Sequence, residues 1–168
     1  MSRCPGQKSA WRSALLGATM AASVAALLPA AAHAAGPFQY FAVTPCRVVD
    51  TRNPPATNGG PALTANTTRS FKVQGNCGVP VGATAVTVNV TIVSPSLSTS
   101  GGFMTLFPSG GGIPTVSTIN FTNSDSALAN GAIVPVSTNA NDLSVFFNAY
   151  NLGSGTVHLV LDVTGYFM

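Results

Sequence analysis

Within the stretch Thr84 to Val93 apolar and polar side chains alternate, strictly so from Val86 to Ile92. Val86, Val88, Val90 and Ile92 fall on one side, and Thr87, Asn89 and Thr91 on the other. Only an extended strand gathers that spacing into one continuous apolar stripe, because successive side chains of a strand point to opposite faces. The same alternation runs through Leu143, Val145, Phe147 and Ala149, and through Val157, Leu159, Leu161 and Val163. Shorter strand candidates are Gln39–Val43, Cys46–Asp50, Arg69–Gln74, Phe103–Phe107, Val116–Phe121 and Ala132–Val136. Between them stand strong breakers: Asn53-Pro54-Pro55, Asn58-Gly59-Gly60-Pro61, Gly101-Gly102, Gly110-Gly111-Gly112, Asn130-Gly131 and Gly153-Ser154-Gly155. No segment after Gly36 holds a helical period. About eight or nine short strands at such spacing predict an all-β domain, a β-sandwich with Greek-key or jelly-roll-like connections, with a closed barrel as the other solution.

The first residues follow a different grammar. Arg3, Lys8 and Arg12 precede an apolar run, Ala14 to Ala32, which ends in Ala32-His33-Ala34. A basic start, an apolar middle and small residues at the cleavage positions are the marks of an export signal. The expected division is a signal peptide over 1–34, cut after Ala34, and a single secreted domain over 35–168. Cys4 lies too far before the apolar run for a lipoprotein site. An uncleaved anchor is the competing reading, since about 20 apolar residues span a bilayer; the Ala and Gly content of the run and Pro29 weigh against it. The expected location is secreted or cell surface, with no membrane contact once the signal is removed.

Charge follows the same boundary. The net charge of +3 comes from Arg3, Lys8 and Arg12. Beyond them, Arg47, Arg52, Arg69 and Lys72 balance Asp50, Asp125, Asp142 and Asp162, and there is no Glu. A near-neutral domain offers no electrostatic footprint for nucleic acid. Cys46 and Cys77 remain after the signal, and an even pair in an exported chain reads as a disulfide. Neither a CxxC spacing nor a neighbouring histidine favours a metal or redox pair.

Four ordered motifs carry a resemblance: Val43-Thr44-Pro45-Cys46-Arg47-Val48-Val49-Asp50-Thr51-Arg52, Gly75-Asn76-Cys77-Gly78-Val79-Pro80, Val86-Thr87-Val88-Asn89-Val90-Thr91 and Asp162-Val163-Thr164-Gly165-Tyr166-Phe167. In this combination the chain resembles a poorly characterised family of secreted bacterial β-domains, appended singly or in tandem to surface proteins and extracellular hydrolases. The resemblance implies an extracellular accessory or surface module and no particular reaction.

The residues themselves assign roles within that frame. Asp50, Thr51 and Arg52 stand where a strand meets a Pro/Gly-rich loop, so Asp50 is placed to accept loop N–H groups and an arginine to fork onto a carboxylate. Asp162 lies mid-strand opposite Leu161 and Val163 and needs a cationic partner if buried. Arg47 or Arg52 supplies it, and a structural ion pair of Arg52 with Asp162, beside Asp50, is expected to tie the first strands to the last.

Catalysis finds little purchase. His158 is the only histidine after the signal and sits in a strand, no GxSxG or HExxH occurs, and oxidised cysteines are not nucleophiles. Asp50, Asp125 and Asp142 are too dispersed for the oxygen shell of Ca²⁺ and read as Asx-turn residues. No cofactor and no metal site is expected. Phe146 and Tyr150, on the side opposite Phe147, are the aromatic candidates for carbohydrate contact. Few edge lysines guard the strands against pairing with other chains. The expectation is an extracellular, non-enzymatic structural or adhesive surface module, with itself, other surface proteins or a cell-wall glycan as partner. The alternative is a glycan-binding accessory module, and a hydrolase stands a distant third.

Overall fold

The computed structural model describes residues 37–168; the expected signal peptide and its cleavage point lie outside the described residues. The strands are β1 (Tyr40–Asp50), β2 (Leu63–Thr64), β3 (Thr67–Phe71), β4 (Ala85–Leu97), β5 (Gly101–Pro108), β6 (Ile119–Thr122), β7 (Ala127–Pro135), β8 (Leu143–Ala149) and β9 (Gly155–Phe167). One sheet runs β1-β9-β4-β7, with β2 continuing along β9 past the end of β1, and the other runs β3-β8-β5-β6. Every strand pairing is antiparallel.

The pairs β1–β9, β3–β8, β4–β7 and β5–β6 nest inside one another around the innermost pair, β5–β6. They form a long two-stranded ribbon, rolled until β9 also meets β4 and β8 also meets β5. This is jelly-roll connectivity, and the chain is a β-sandwich. The alternating stripes are what the two sheets bury between them. Val86, Val90, Ile92, Leu143, Val145, Phe147, Val157, Leu159, Leu161 and Val163 are all inaccessible to solvent. Phe71 and Met104 fill the space between them.

Three elements depart from the expected segmentation. Gly101-Gly102 is no break: both glycines lie in β5, paired with Thr122 and Phe121 of β6. Gln39–Val43 and Cys46–Asp50 are parts of one strand, β1, because the Thr44-Pro45 step is absorbed by a register shift between Ala42 and Cys46 against β9. A bulge tolerates a residue without an N–H in an edge strand. Asn130-Gly131 is no turn. It lies within β7, where Gly131 pairs with Asn89 and Asn130 with Val90, and the turn is made instead by residues 123–126.

The disulfide joins Cys46 and Cys77. It fastens β1 to the loop that follows β3, where Gly75 (φ 81°), Cys77 (φ 53°) and Gly78 (φ 75°) take left-handed conformations. Glycine meets that requirement without steric cost, and the chain turns tightly enough for Gly75 N–H to reach Val79 O at 2.7 Å.

Candidate functional site

The Asp50-Thr51-Arg52 motif is a strand terminus stitched to the last strand. Thr51 N–H donates to Leu159 O, and Thr51 Oγ1 accepts from Leu159 N–H at 2.8 Å, extending the ladder one step beyond β1. Thr51 Oγ1 also lies 3.2 Å from His158 Nδ1. Asp50 turns back to accept the N–H of Arg52 at 3.1 Å.

Arg52 then forks onto the same carboxylate, Nε to Oδ1 at 2.8 Å and Nη2 to Oδ2 at 2.6 Å. Asp162 is held by Arg47, Nε to Oδ1 at 2.9 Å and Nη2 to Oδ2 at 3.2 Å. Arg47 Nη1 completes the chain at 3.6 Å from Asp50 Oδ2. The expected Arg52–Asp162 pair is therefore corrected to Arg47–Asp162. The reason is register: Arg47 and Asp162 are direct cross-strand partners, whereas Arg52 lies past the strand end, two residues from Asp50.

Arg52 and Arg47 together hold the Asp50 carboxyl at about 2, below its ordinary value of 3.8. A carboxyl depressed in the folded state contributes stability above its unfolded pKa and loses it as pH falls through the folded one. The shift is worth roughly 2 kcal/mol. Unfolding by urea is expected to need less denaturant as pH drops from about 4 to about 2, and Asp50→Asn is expected to flatten this acid limb. An unchanged acid limb in the variant would assign it to another carboxylate.

The adjoining loop is pinned just as firmly. The guanidinium of Arg69 reaches the carbonyl oxygens of Ala56, Thr57, Gly59, Gly60 and Pro61 at 2.7–3.4 Å and lies 4.8 Å from the Phe71 ring centroid. Asn58 exchanges amide bonds with the backbone of Lys72. The open hollow along Arg47, Asp50 and Asn53–Gly59 is thus walled by groups whose bonds serve the fold.

A different arrangement occupies the outer face of the other sheet. Register places Phe103 of β5 between Asn120 of β6 and Asn148 of β8. Phe146 and Tyr150 flank Phe103, with ring centroids at 6.3 Å and 6.4 Å. All three rings are half-buried. Strand alternation explains Phe146, since its neighbours Val145 and Phe147 point into the core. Tyr150 sits in the short 3-10 turn Tyr150–Leu152. That turn is held by an amide relay, Asn148 Nδ2 to Asn66 Oδ1 at 2.8 Å and Asn66 Nδ2 to Gly153 O at 2.8 Å.

Beside the rings the segment before β6 folds back over the sheet. Thr105 Oγ1 donates to Val116 O, Thr118 N–H to Met104 O at 2.8 Å, and Leu106 N–H to Thr118 Oγ1 at 3.0 Å. Between this segment and the rings lies a groove of about 370 Å³, with Phe103 and Phe146 on one side and Ile113, Val116, Ser117 and Asn120 on the other. Asn120 Nδ2 donates to Ser117 Oγ at 2.9 Å. None of the residues that line the groove is ionisable.

The sequence-predicted aromatics, Phe146 and Tyr150, therefore share one surface. Phe103, which joins them, was legible only as a strand residue. Its exposure follows from register with Asn148, which alternation within a single strand does not reveal. No protein-family model, no curated protein and no solved structure matches the chain. The disulfide is compatible with a location outside the cytoplasm, and among the described residues no helix is long and apolar enough to cross a membrane.

Proposed function

We propose that the protein is an extracellular, non-enzymatic adhesive module of the bacterial surface whose aromatic groove binds a neutral glycan. The observation that carries this reading is the row Asn120–Phe103–Asn148, widened by Phe146 and Tyr150. Sugar rings offer apolar C–H faces and a rim of hydroxyls. Half-exposed aromatic rings cover the faces, and amide side chains both donate to and accept from the hydroxyls. The uncharged groove gives an anionic polymer no counter-charge, so the matching ligand is neutral.

The signal-like pattern of the first 34 residues, basic then apolar then small, and the likeness of the four motifs to secreted surface domains support the extracellular part. The non-enzymatic part is supported by cysteines consumed in a bridge and by a strand-bound His158 engaged with Thr51. The test is a glycan array followed by titration calorimetry. Saturable binding to neutral oligosaccharides is expected. Tyr150→Ala and Phe146→Ala are each expected to weaken it by about tenfold or more, near 1.4 kcal/mol, with unfolding midpoints close to wild type for Tyr150→Ala. Binding that survives both substitutions, or an array with no neutral glycan retained, overturns the proposal.

A further inference from the structure

We propose that β7 is an interaction edge, and that it pairs antiparallel with β7 of a second copy of this chain. The other sheet edges carry the devices that keep strands apart. The β1 edge is broken by two register shifts, contains Pro45, carries Arg47 and is tied to a loop by the disulfide. Its continuation, β2, is two residues long. On the other sheet, β3 has five residues, with Arg69 drawn onto the neighbouring loop, and β6 has only four.

Among these edges β7 is the exception. It spans nine residues, Ala-Leu-Ala-Asn-Gly-Ala-Ile-Val-Pro, and pairs with β4 from Ala127 to Pro135 without a register shift. It bears no charged side chain, and its one proline stands at the last position. Seven of its residues are exposed, Ile133 at 64%. A regular, neutral strand of this length leaves a row of outward N–H and C=O groups, which is a template for one more strand.

Its own sequence names the partner. In a two-fold antiparallel pair centred on Gly131, Ala129 stands opposite Ile133, Leu128 opposite Val134 and Asn130 opposite Ala132. Ala129 leaves room for Ile133, Leu128 meets Val134 as an apolar pair, and no like charges meet. A charged partner strand would find no counter-charge on β7. Ile133 also borders an apolar hollow of about 440 Å³ with Phe38, Pro135 and Phe167, so the face beside the new ladder is apolar as well. At the centre, a Cβ added at Gly131 meets nothing within 4 Å, and its φ is not in the left-handed range.

That open space makes a clean test. Gly131→Lys sets two ammonium groups against each other across the two-fold axis, and Gly131→Thr sets a neutral β-branched pair there. Sedimentation of the protein is expected to show a concentration-dependent dimer. Gly131→Thr is expected to keep it, and Gly131→Lys to raise its dissociation constant about tenfold or more while circular dichroism stays that of the wild type. Amide exchange in β7 is expected to slow on dimerisation. A monomer at every concentration up to about 1 mM, a dimer indifferent to Gly131→Lys, or β7 amides that exchange equally fast in both states overturns the proposal.

Discussion

Asp142→Ala is expected to cost about 3–5 kcal/mol, a large fraction of the roughly 5–15 kcal/mol of net stability of a domain. The Asp142 side chain has no solvent exposure. Its Oδ1 accepts Val73 N–H at 2.9 Å and its Oδ2 accepts Gln74 N–H at 3.0 Å, while Lys72 Nζ lies 2.9 Å from Oδ2. The carboxylate thus joins the exit of β3 to the entry of β8. Alanine would strand two buried backbone donors and an ammonium that has lost its counter-charge. A buried N–H without an acceptor costs about 1–3 kcal/mol, because water cannot replace the bond. Lys72→Met separates the contributions. Lys72 remains partly exposed, and its removal leaves both backbone bonds in place but takes the counter-charge from a buried carboxylate, so a smaller loss of about 1–3 kcal/mol is expected. Chemical denaturation of the two variants reads the difference, and equal losses would place the stabilisation in the ion pair rather than in the backbone bonds.

The importance of Asp142 illustrates what sequence patterning conveys and what it omits. Alternation identifies a strand and its buried face because both are local consequences of backbone geometry. The stripes in β4, β8 and β9 were legible for that reason, and so were the sandwich and the disulfide. Partners across the fold depend on register, which a strand's own pattern does not encode. Sequence offers both Arg47 and Arg52 to Asp162 and the expectation settles on Arg52, but the β1–β9 ladder puts Arg47 opposite it. Asp142 looked like a loop residue beside Asn139 and Asn141, because nothing nearby in sequence announces Val73 and Gln74 as its donors. Asn130-Gly131 failed in the other direction. Its local chemistry is that of a turn, but β4 supplies the ladder, and Asn130 Nδ2 finds Thr118 O at 2.7 Å. The aromatic face belongs with these cases: Phe146 follows from the alternation of β8 and Tyr150 from the 3-10 turn directly after it, whereas Phe103 joins them only through pairing with β8.

Removing the disulfide, by Cys46→Ala with Cys77→Ala, is expected to lower unfolding free energy by about 3–4 kcal/mol on the loop-closure account. The bridge closes a loop across a sequence separation of 31 residues. Most of that free energy comes from the unfolded chain, which loses the freedom to separate its cross-linked positions. The folded state adds a local reason for the bridge to matter. Cys46 lies between the two register shifts of β1, where the ladder to β9 is least regular, and the loop around Cys77 packs back on the core through Val79. The loosened variant is therefore expected to lose protection in β1 before the β4–β9 centre, where the ladder is long and the core residues are inaccessible. Amide exchange resolved along the chain tests both parts. A fall in global stability with uniform loss of protection would leave the unfolded-state account standing alone. Unchanged stability in the double variant, or in the reduced wild type, would mean that the strand ladders hold β1 without the bridge.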